Sequence, residues 1–276
     1  MVVNPGGRSL PAGFEPRTPE GGPVVPKDAA TVVLVRDGSA GPEVFLQRRV
    51  KGMAFAGGMT VFPGGGVDPR DADHSVAWHG PGPEWWAERF GCSPEVARAL
   101  VCAAVRETFE ESGVLLAGPD PTTVVGDTSR YTEARAGLVA RDLSLAEFLA
   151  GADLVLRADL LRPWAHWVTP EQEPRRYDTR FFLAAMPTGQ QADGSTSEAS
   201  HAYWSTPQRA LEDFAEGRTH LLPPTRVTLE ELAEHDSAAS AVAAERTLQK
   251  IIPKLVRRGE RWHVLLPGEP GFEEAR

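Results

Sequence analysis

One stretch near the middle of the chain constrains the fold most, because it places three acidic side chains at the end of a helix. Its apolar residues recur at near-helical spacing, and they are Leu100, Val101, Ala104, Val105 and Phe109. Glu107, Glu110 and Glu111 fall on one face of this helix. Their charges repel one another at the negative end of the helix dipole. Gly113 follows and predicts where the helix ends.

A divalent cation would relieve this repulsion, since Mg²⁺ and Mn²⁺ prefer oxygen ligands. The alternative is an acidic helix end that faces solvent. An earlier motif favours the cation, because residues 61–68 predict a strand that runs into a glycine turn at Gly64, Gly65 and Gly66. Glycine lets the backbone approach a metal ion or a phosphate closely. The same glycines would also suit a tight turn with no ligand.

Together the two motifs resemble the box of the Nudix hydrolase family, G-x5-E-x7-R-E-U-x-E-E-x-G-U, in which U is apolar. The second half matches at Arg106, Glu107, Glu110, Glu111, Gly113 and Val114. The first half matches at Gly65, which lies 41 positions before Arg106 rather than 14, so the box contains an insert. Counting back eight positions from Arg106 reaches Arg98, so the first box glutamate has no evident equivalent. Glu95 follows a serine and a proline, which predicts a residue of the first helical turn.

A split box is a feature of the Nudix subgroup typified by the peroxisomal coenzyme A diphosphatase, and other segments are similar to that subgroup. These segments are residues 55–59, 167–170, 174–182, 204–207 and 221–224. The resemblance implies an α/β/α sandwich with a mixed β-sheet. It also implies cleavage of coenzyme A or acyl-coenzyme A to phosphopantetheine and adenosine 3′,5′-bisphosphate. The alternatives are a Nudix diphosphatase for NADH, ADP-ribose or a nucleotide sugar, and a non-catalytic module that senses nucleotides.

The resemblance also implies a role for each box residue. Glu107 and Glu111 are expected to bind Mg²⁺ or Mn²⁺, and Glu110 is expected to bind the metal or to orient water. The Gly64 carbonyl is expected to complete the metal site. Arg106 is expected to orient the carboxylates, since it reaches Glu110 at i, i+4.

The general base is expected to be a glutamate from a later loop or strand. Glu198 is the first candidate, because its distance before Trp204 is similar to a pattern in the family, and Glu171 and Glu173 are the second choice. Substrate phosphates are expected at Gly65 and Gly66 and at basic side chains, whose guanidinium groups suit phosphate. The basic candidates are Arg48, Arg49, Lys51, Arg175, Arg176 and Arg180. The alternative for these basic residues is ion pairing with surface acids, and Tyr177 and Phe181 either stack on adenine or pack in the sheet.

The composition agrees with a soluble enzyme, and the resemblance implies a small nucleotide diphosphate as its substrate. A chain of 276 residues can bury a core. The net charge of −9 argues against a nucleic-acid partner. No apolar run approaches the length of a membrane helix. Two cysteines and no apolar signal core predict a cytoplasmic location, and the sequence leaves a homodimer open.

The expected organisation is one domain over residues 28–276 behind a loose tail rich in Gly and Pro over residues 1–27. An insert is expected at about 68–92, and helical additions at about 129–151 and 224–250. The other expected helices are 84–90, 94–112 and 207–216, and the expected strands are 29–36, 43–48, 59–62, 160–169, 176–186, 201–205 and 262–266. Trp78, Trp85 and Trp86 of the insert are expected to pack rather than to stack on a ligand.

Overall fold

The structure is a computed structural model, and it describes residues 8–9, 15–16, 20–52, 56–196 and 198–275. Within these ranges the strands are β1 (Arg8–Ser9), β2 (Lys27–Gly38), β3 (Gly41–Arg49), β4 (Thr60–Val61), β5 (Gly64–Gly66), β6 (Trp78–His79), β7 (Ala117–Gly118), β8 (Val155–Arg157), β9 (Leu161–Val168), β10 (Tyr177–Ala185), β11 (Ala199–Ser205), β12 (Lys250–Ile251), β13 (Lys254–Arg258) and β14 (Arg261–Leu265). The α-helices are α1 (Pro83–Phe90), α2 (Pro94–Ser112), α3 (Thr132–Val139), α4 (Leu145–Gly151), α5 (Pro207–Ala215), α6 (Pro223–Leu232) and α7 (Ala238–Ala243).

The main sheet lies between two layers of helices. Its strand order is β11-β3-β2-β10-β9-β12, with β4 beside β3 and β5 beside β2. The sheet is mixed, because β2 is parallel to β10 and antiparallel to β3. Side chains of β2 alternate between the two faces, so Val32 packs toward α1 and α2 while Val33 packs toward α5, α6 and α7. The predicted α/β/α sandwich with a mixed sheet is therefore confirmed.

Helix α2 carries the acidic residues and has a defined start and end. Ser93 caps its first turn, where Oγ accepts a hydrogen bond from the Val96 N–H at 3.3 Å. Gly113 ends it in the left-handed conformation, with φ 72°, and its N–H donates to the Phe109 carbonyl at 3.0 Å. The predicted range of 94–112 is confirmed, and Glu95 lies in the first turn as expected.

The insert forms part of the central core. Trp86 stacks on Phe90 with ring centroids 5.6 Å apart, and it contacts Phe182 of β10 at 5.4 Å. The insert also contributes β6, which pairs with β8, and β8 pairs in turn with β7. The sequence did not predict this small sheet.

The structure differs from the predictions at both ends of the chain. In the segment predicted to be a loose tail, β1 pairs with β14, and Glu15 accepts a hydrogen bond from Trp262 at 3.0 Å. The helical addition predicted over about 224–250 is wrong after Ala243, where α7 ends and the chain leads into β12, which pairs with β9. Among the residues that the structure describes, no helix is both long enough and apolar enough to cross a bilayer.

Candidate active site

The glycine motif forms β5, which pairs with the first half of β2 and faces α2. Gly65 lies opposite Ala30 in this pairing. A Cβ atom on Gly65 would lie 2.6 Å from the carboxyl group of Glu107. A Cβ atom on Gly64 would lie 2.4 Å from the carbonyl oxygen of Ala30. Both glycines are therefore needed, because a strand on one side and a carboxylate on the other approach the backbone directly.

Glu107 and Glu111 lie one turn apart on α2, and both face β5. Glu111 is buried, and its Oε2 accepts a hydrogen bond from the Gly64 N–H at 2.9 Å. Burial raises the pKa of Glu107 to about 7, although the positive charge of Arg106 opposes the rise. Burial raises the pKa of Glu111 to about 8, and the negative charge of Glu107 adds to the rise. The two carboxylates therefore form a largely buried pair whose charged state a bound cation would stabilise.

Arg106 holds the carboxylates of Glu107 and Glu110 in place. Its Nη1 donates to Glu107 Oε1 at 2.7 Å and to Glu110 Oε1 at 3.2 Å, and its Nη2 donates to the Gly66 carbonyl at 3.0 Å. Burial raises the pKa of Glu110, and Arg106 opposes that rise. The expected contact between Arg106 and Glu110 is present. Arg106 thus links the acidic end of α2 to β5.

Asp71 is a site residue that the sequence interpretation missed. It is 2% exposed, and its two carboxylate oxygens accept hydrogen bonds from Arg106 Nε and Nη2, each at 2.9 Å. Counting forward from Gly65 through five residues reaches Asp71, so it occupies the position of the first box glutamate. The missed signal is therefore an aspartate at the end of G-x5. The extra residues follow Asp71, with 34 rather than 7 residues before Arg106, so the predicted insert boundary at residue 68 is too early.

The end of α2 is held by donors from three other segments. Gln47 Nε2 of β3 donates to the Glu111 carbonyl at 3.2 Å, and Arg135 Nε of α3 donates to the Glu110 carbonyl at 3.0 Å. The backbone N–H of Asp193 donates to the Ser112 carbonyl at 2.9 Å. These bonds satisfy carbonyls that a helix end leaves unpaired. They also fix the backbone that carries the carboxylates of Glu110 and Glu111.

Glu107 and Glu111 fit a Mg²⁺ or Mn²⁺ ion as a pair of oxygen ligands. In the described ranges, no group of three or more acidic, histidine or cysteine side chains is placed to hold one metal ion. Mg²⁺ is commonly bound by one or two carboxylates while it keeps waters and takes phosphate oxygens from a substrate. Burial raises the pKa of both carboxyl groups because it disfavours their negative charges, and a bound cation would offset those charges. Metal binding by Glu107, Glu111, Glu110 and the Gly64 carbonyl stays a prediction.

Glu198 lies at the exposed edge of the carboxylate cluster, which consists of Glu107, Glu110 and Glu111. Its Oε2 accepts a hydrogen bond from Arg49 Nη2 at 3.1 Å, and its carbonyl accepts one from the Val50 N–H at 2.9 Å. The negative charge of Glu198 raises the pKa of Glu111, and the positive charge of Arg49 lowers it. Glu198 is thus near the cluster, with its side chain 51% exposed. Glu171 and Glu173, the second candidates, lie in the turn between β9 and β10.

The basic residues before the glycine turn divide between the two faces of the sheet. Alternation along β3 places Arg49 on the face of Gln47, next to α2. Arg48 lies on the opposite face, where its charge acts on the pKa of Tyr203, a pKa that burial raises. Lys51 is exposed in the loop after β3. Arg49 is therefore the member of this group that the structure brings to the carboxylates.

The second basic group is largely occupied by structural contacts. Arg176 is buried and donates to the carbonyls of Thr169 at 3.1 Å and Val24 at 2.8 Å, which favours an anchoring role over the predicted phosphate contact. Arg180 is buried in ion pairs with Asp28 and Asp178. Arg175, the third basic residue of this group, is exposed. Of the two aromatic candidates nearby, Phe181 packs in the core and Tyr177 is half-buried.

The family is decided by a match that includes the acidic end of α2. A family profile described as the NUDT19 Nudix domain matches residues 92–232. This span is 141 of the 276 residues, just over half of the chain. The chain belongs to the Nudix hydrolase family. The predicted enzyme class, a Nudix diphosphatase, is therefore confirmed.

Individual Nudix relatives agree with this assignment. The human acyl-coenzyme A diphosphatase NUDT19 is 28% identical over 277 residues, a match that covers 85% of this chain and 73% of the relative. A nudix hydrolase 7 of Caenorhabditis elegans is 29% identical over 217 residues, which are 75% of this chain but only 61% of that relative. The crystal structure of a Nudix hydrolase from Alicyclobacillus acidocaldarius has a TM-score of 0.67 at 28% identity, and the match covers 81% of this chain and 98% of that chain.

Proposed function

We propose that this Nudix hydrolase cleaves the diphosphate of coenzyme A or acyl-coenzyme A to give phosphopantetheine and adenosine 3′,5′-bisphosphate. The observation that carries the proposal is the buried pair of Glu107 and Glu111 against Gly64 and Gly65, which suits a Mg²⁺ or Mn²⁺ ion. The substrate is supported by the similarity to the acyl-coenzyme A diphosphatases NUDT19 of human and chicken.

Each site residue has a distinct part in this reaction. Water adds to one phosphorus atom of the diphosphate while the bridging P–O bond breaks, and negative charge spreads over the phosphoryl oxygens. A bound divalent cation would neutralise that charge. Arg106 holds Glu107 and Glu110 in position, and Asp71 holds Arg106. Glu198 would accept the proton of the attacking water, since it lies at the exposed edge of the cluster.

Product analysis by mass spectrometry tests the proposal. Purified protein is incubated with Mg²⁺ or Mn²⁺ and a panel of coenzyme A, acetyl-coenzyme A, NADH, ADP-ribose, a nucleotide sugar and a nucleoside triphosphate. We expect selective release of adenosine 3′,5′-bisphosphate, lost by more than roughly 100-fold in Glu111→Gln because a ligand of the cation is removed. The matched control is Glu88→Gln, whose side chain on α1 is 84% exposed.

The other outcomes separate substrate from mechanism. Preference for NADH, ADP-ribose or a nucleotide sugar would keep the diphosphatase chemistry and reject coenzyme A as substrate. Binding without cleavage of any compound would favour a nucleotide sensor. Wild-type turnover by Glu111→Gln would reject the metal site.

A further inference from the structure

The turn after α3 carries an arginine where glycine is usual. The Arg141 N–H donates to the Leu138 carbonyl, and the Asp142 N–H donates to the Gly137 carbonyl, each at 2.9 Å. These two bonds form a Schellman motif with Arg141 as its left-handed residue, at φ 62°. Glycine and asparagine adopt this conformation more easily than arginine. The turn alone therefore does not explain the choice of arginine.

Two contacts fix this turn beside the carboxylate cluster. Arg135 Nε of α3 donates to the Glu110 carbonyl at 3.0 Å, which attaches α3 to the end of α2. Arg70 Nη1 donates to the Arg141 carbonyl at 3.0 Å, while Nε and Nη2 of the same guanidinium bind Asp68 just after β5. The turn is thus held from the α2 side and from the glycine-strand side.

The side chain of Arg141 keeps its charge available. It is exposed, and in the described part of the chain its guanidinium makes no hydrogen bond and no ion pair. Arg70, which binds the Arg141 carbonyl, precedes Asp71, and Asp71 binds Arg106, so the turn lies beside the group that holds Glu107 and Glu110. By contrast, Arg106 and Arg135 are already bound to groups of the protein.

We propose that Arg141 binds a phosphate oxygen of the substrate at the edge of the carboxylate cluster, a role that rests on the diphosphatase function proposed above. A guanidinium presents paired N–H donors that match phosphate oxygens. A purely structural role would be to complement the negative end of α3. Glycine at the same position would serve the turn better, so the structural role does not require arginine.

Steady-state kinetics of Arg141→Gly and Arg141→Lys test this role. We expect Arg141→Gly to raise KM roughly 10-fold with little change in kcat, because a hydrogen-bonded charge pair with the substrate is lost. Its melting temperature should stay the same or rise, since glycine suits the left-handed turn. Arg141→Lys should restore part of the KM. The matched control is Arg209→Ala on α5, which is 61% exposed and paired with Glu212 and Asp213.

Comparing coenzyme A with 3′-dephospho-coenzyme A identifies the phosphate. If the KM difference between wild type and Arg141→Gly disappears with the dephosphorylated substrate, Arg141 binds the 3′-phosphate. If the difference persists, Arg141 binds the diphosphate. An unchanged KM for both substrates in a folded Arg141→Gly variant would overturn the proposal while leaving the diphosphatase function intact. If coenzyme A is not cleaved, the proposed function fails separately, and the same variants are compared on the diphosphate that is cleaved.

Discussion

The guanidinium of Arg106 joins the two halves of the Nudix box, which lie far apart in the sequence. It forms ion pairs with Asp71 on one side and with Glu107 and Glu110 on the other. A buried arginine is stable only when its donors are matched by acceptors, and Asp71 supplies two of them. The insert leaves this link in place, because it begins only after Asp71.

Asp71→Asn should therefore weaken both folding and catalysis. Removing one partner of a buried ion pair costs about 3 kcal/mol or more of the free energy of unfolding. Displacement of Arg106 and its carboxylates should also lower kcat roughly 10- to 100-fold. Urea unfolding and steady-state kinetics measure the two effects. Asp71→Glu, which restores the box residue, should recover part of both, and Asp213→Asn at a surface ion pair should change stability by less than about 1 kcal/mol. Equal effects of Asp71→Asn and Asp213→Asn would contradict this role.

The pKa values of Glu107 and Glu111 predict how stability depends on pH without metal. Both groups start from 4.5, and burial raises the pKa to about 7 for Glu107 and to about 8 for Glu111. Between pH 4.5 and about pH 8, these two carboxyl groups still hold protons in the folded protein that they have released in the unfolded chain. Its free energy of unfolding should therefore be largest below about pH 4.5 with respect to these groups, and should fall as the pH rises to about 8.

Urea unfolding in a metal chelator over this pH range measures the loss. Glu111→Gln should show a shallower fall, since its amide does not titrate. Adding Mg²⁺ or Mn²⁺ should raise the melting temperature more near pH 8 than near pH 5, because metal and protons compete for the carboxylates. Identical pH profiles for wild type and Glu111→Gln would show that Glu111 is not a titrating buried acid.

At the scale of single residues, the sequence predicted the groups that belong to a fixed motif. Glu107, Glu110, Glu111 and Arg106 follow from the second half of the box. Asp71 was missed because the count ran backward from Arg106 across the insert. The anchoring of Arg176 depends on burial by distant segments, which a single sequence does not reveal.

The last turn of α2 must be rigid to hold its carboxylates in position, and Gly113 ends that turn. A Cβ atom on Gly113 would lie 2.9 Å from Asp193 Oδ2 and 3.0 Å from Arg135 Nη1. These two residues form an ion pair at 2.8 Å. The glycine therefore permits both the left-handed backbone and the approach of the arginine that binds the Glu110 carbonyl.

Gly113→Ala should be more harmful than the same change at a glycine with open surroundings. The left-handed conformation alone costs alanine about 1–2 kcal/mol. The control is Gly217→Ala, where φ is 74° and nothing lies within 4 Å of the new Cβ atom. Thermal and urea unfolding should show a larger loss at Gly113, and kcat should fall in that variant alone. Equal losses and unchanged kcat in both variants would show that the contact with Arg135 and Asp193 does not matter.

At the scale of elements, local signals were sufficient for α2 and for the hairpin of β2 and β3. The serine cap, the first-turn proline and the final glycine define α2 without help from the rest of the chain. By contrast, β1, β6 and β12 are two residues long and exist through pairing with distant strands. For β12, that pairing outweighs a composition that favours helix.

The whole molecule has a core that includes the insert, and this decides what the insert can do. Trp86 is completely buried among aromatic residues of the insert and of the main sheet. Trp85 is only partly buried, with the guanidinium of Arg89 3.5 Å from its ring centroid. An insert attached in this way should unfold together with the rest of the domain rather than open as an independent lid.

Trp86→Ala tests this expectation. Deleting a buried tryptophan costs about 3–5 kcal/mol, because apolar burial is lost and a cavity remains. Unfolding followed by circular dichroism and by tryptophan fluorescence should give one coincident transition in wild type and variant. Trp85→Ala should cost only about 1 kcal/mol. KM should be unchanged in the folded fraction of both variants, since packing rather than ligand stacking is the role of these rings. A fluorescence transition that precedes most of the loss of helical signal by circular dichroism would instead identify the insert as a separately folding unit.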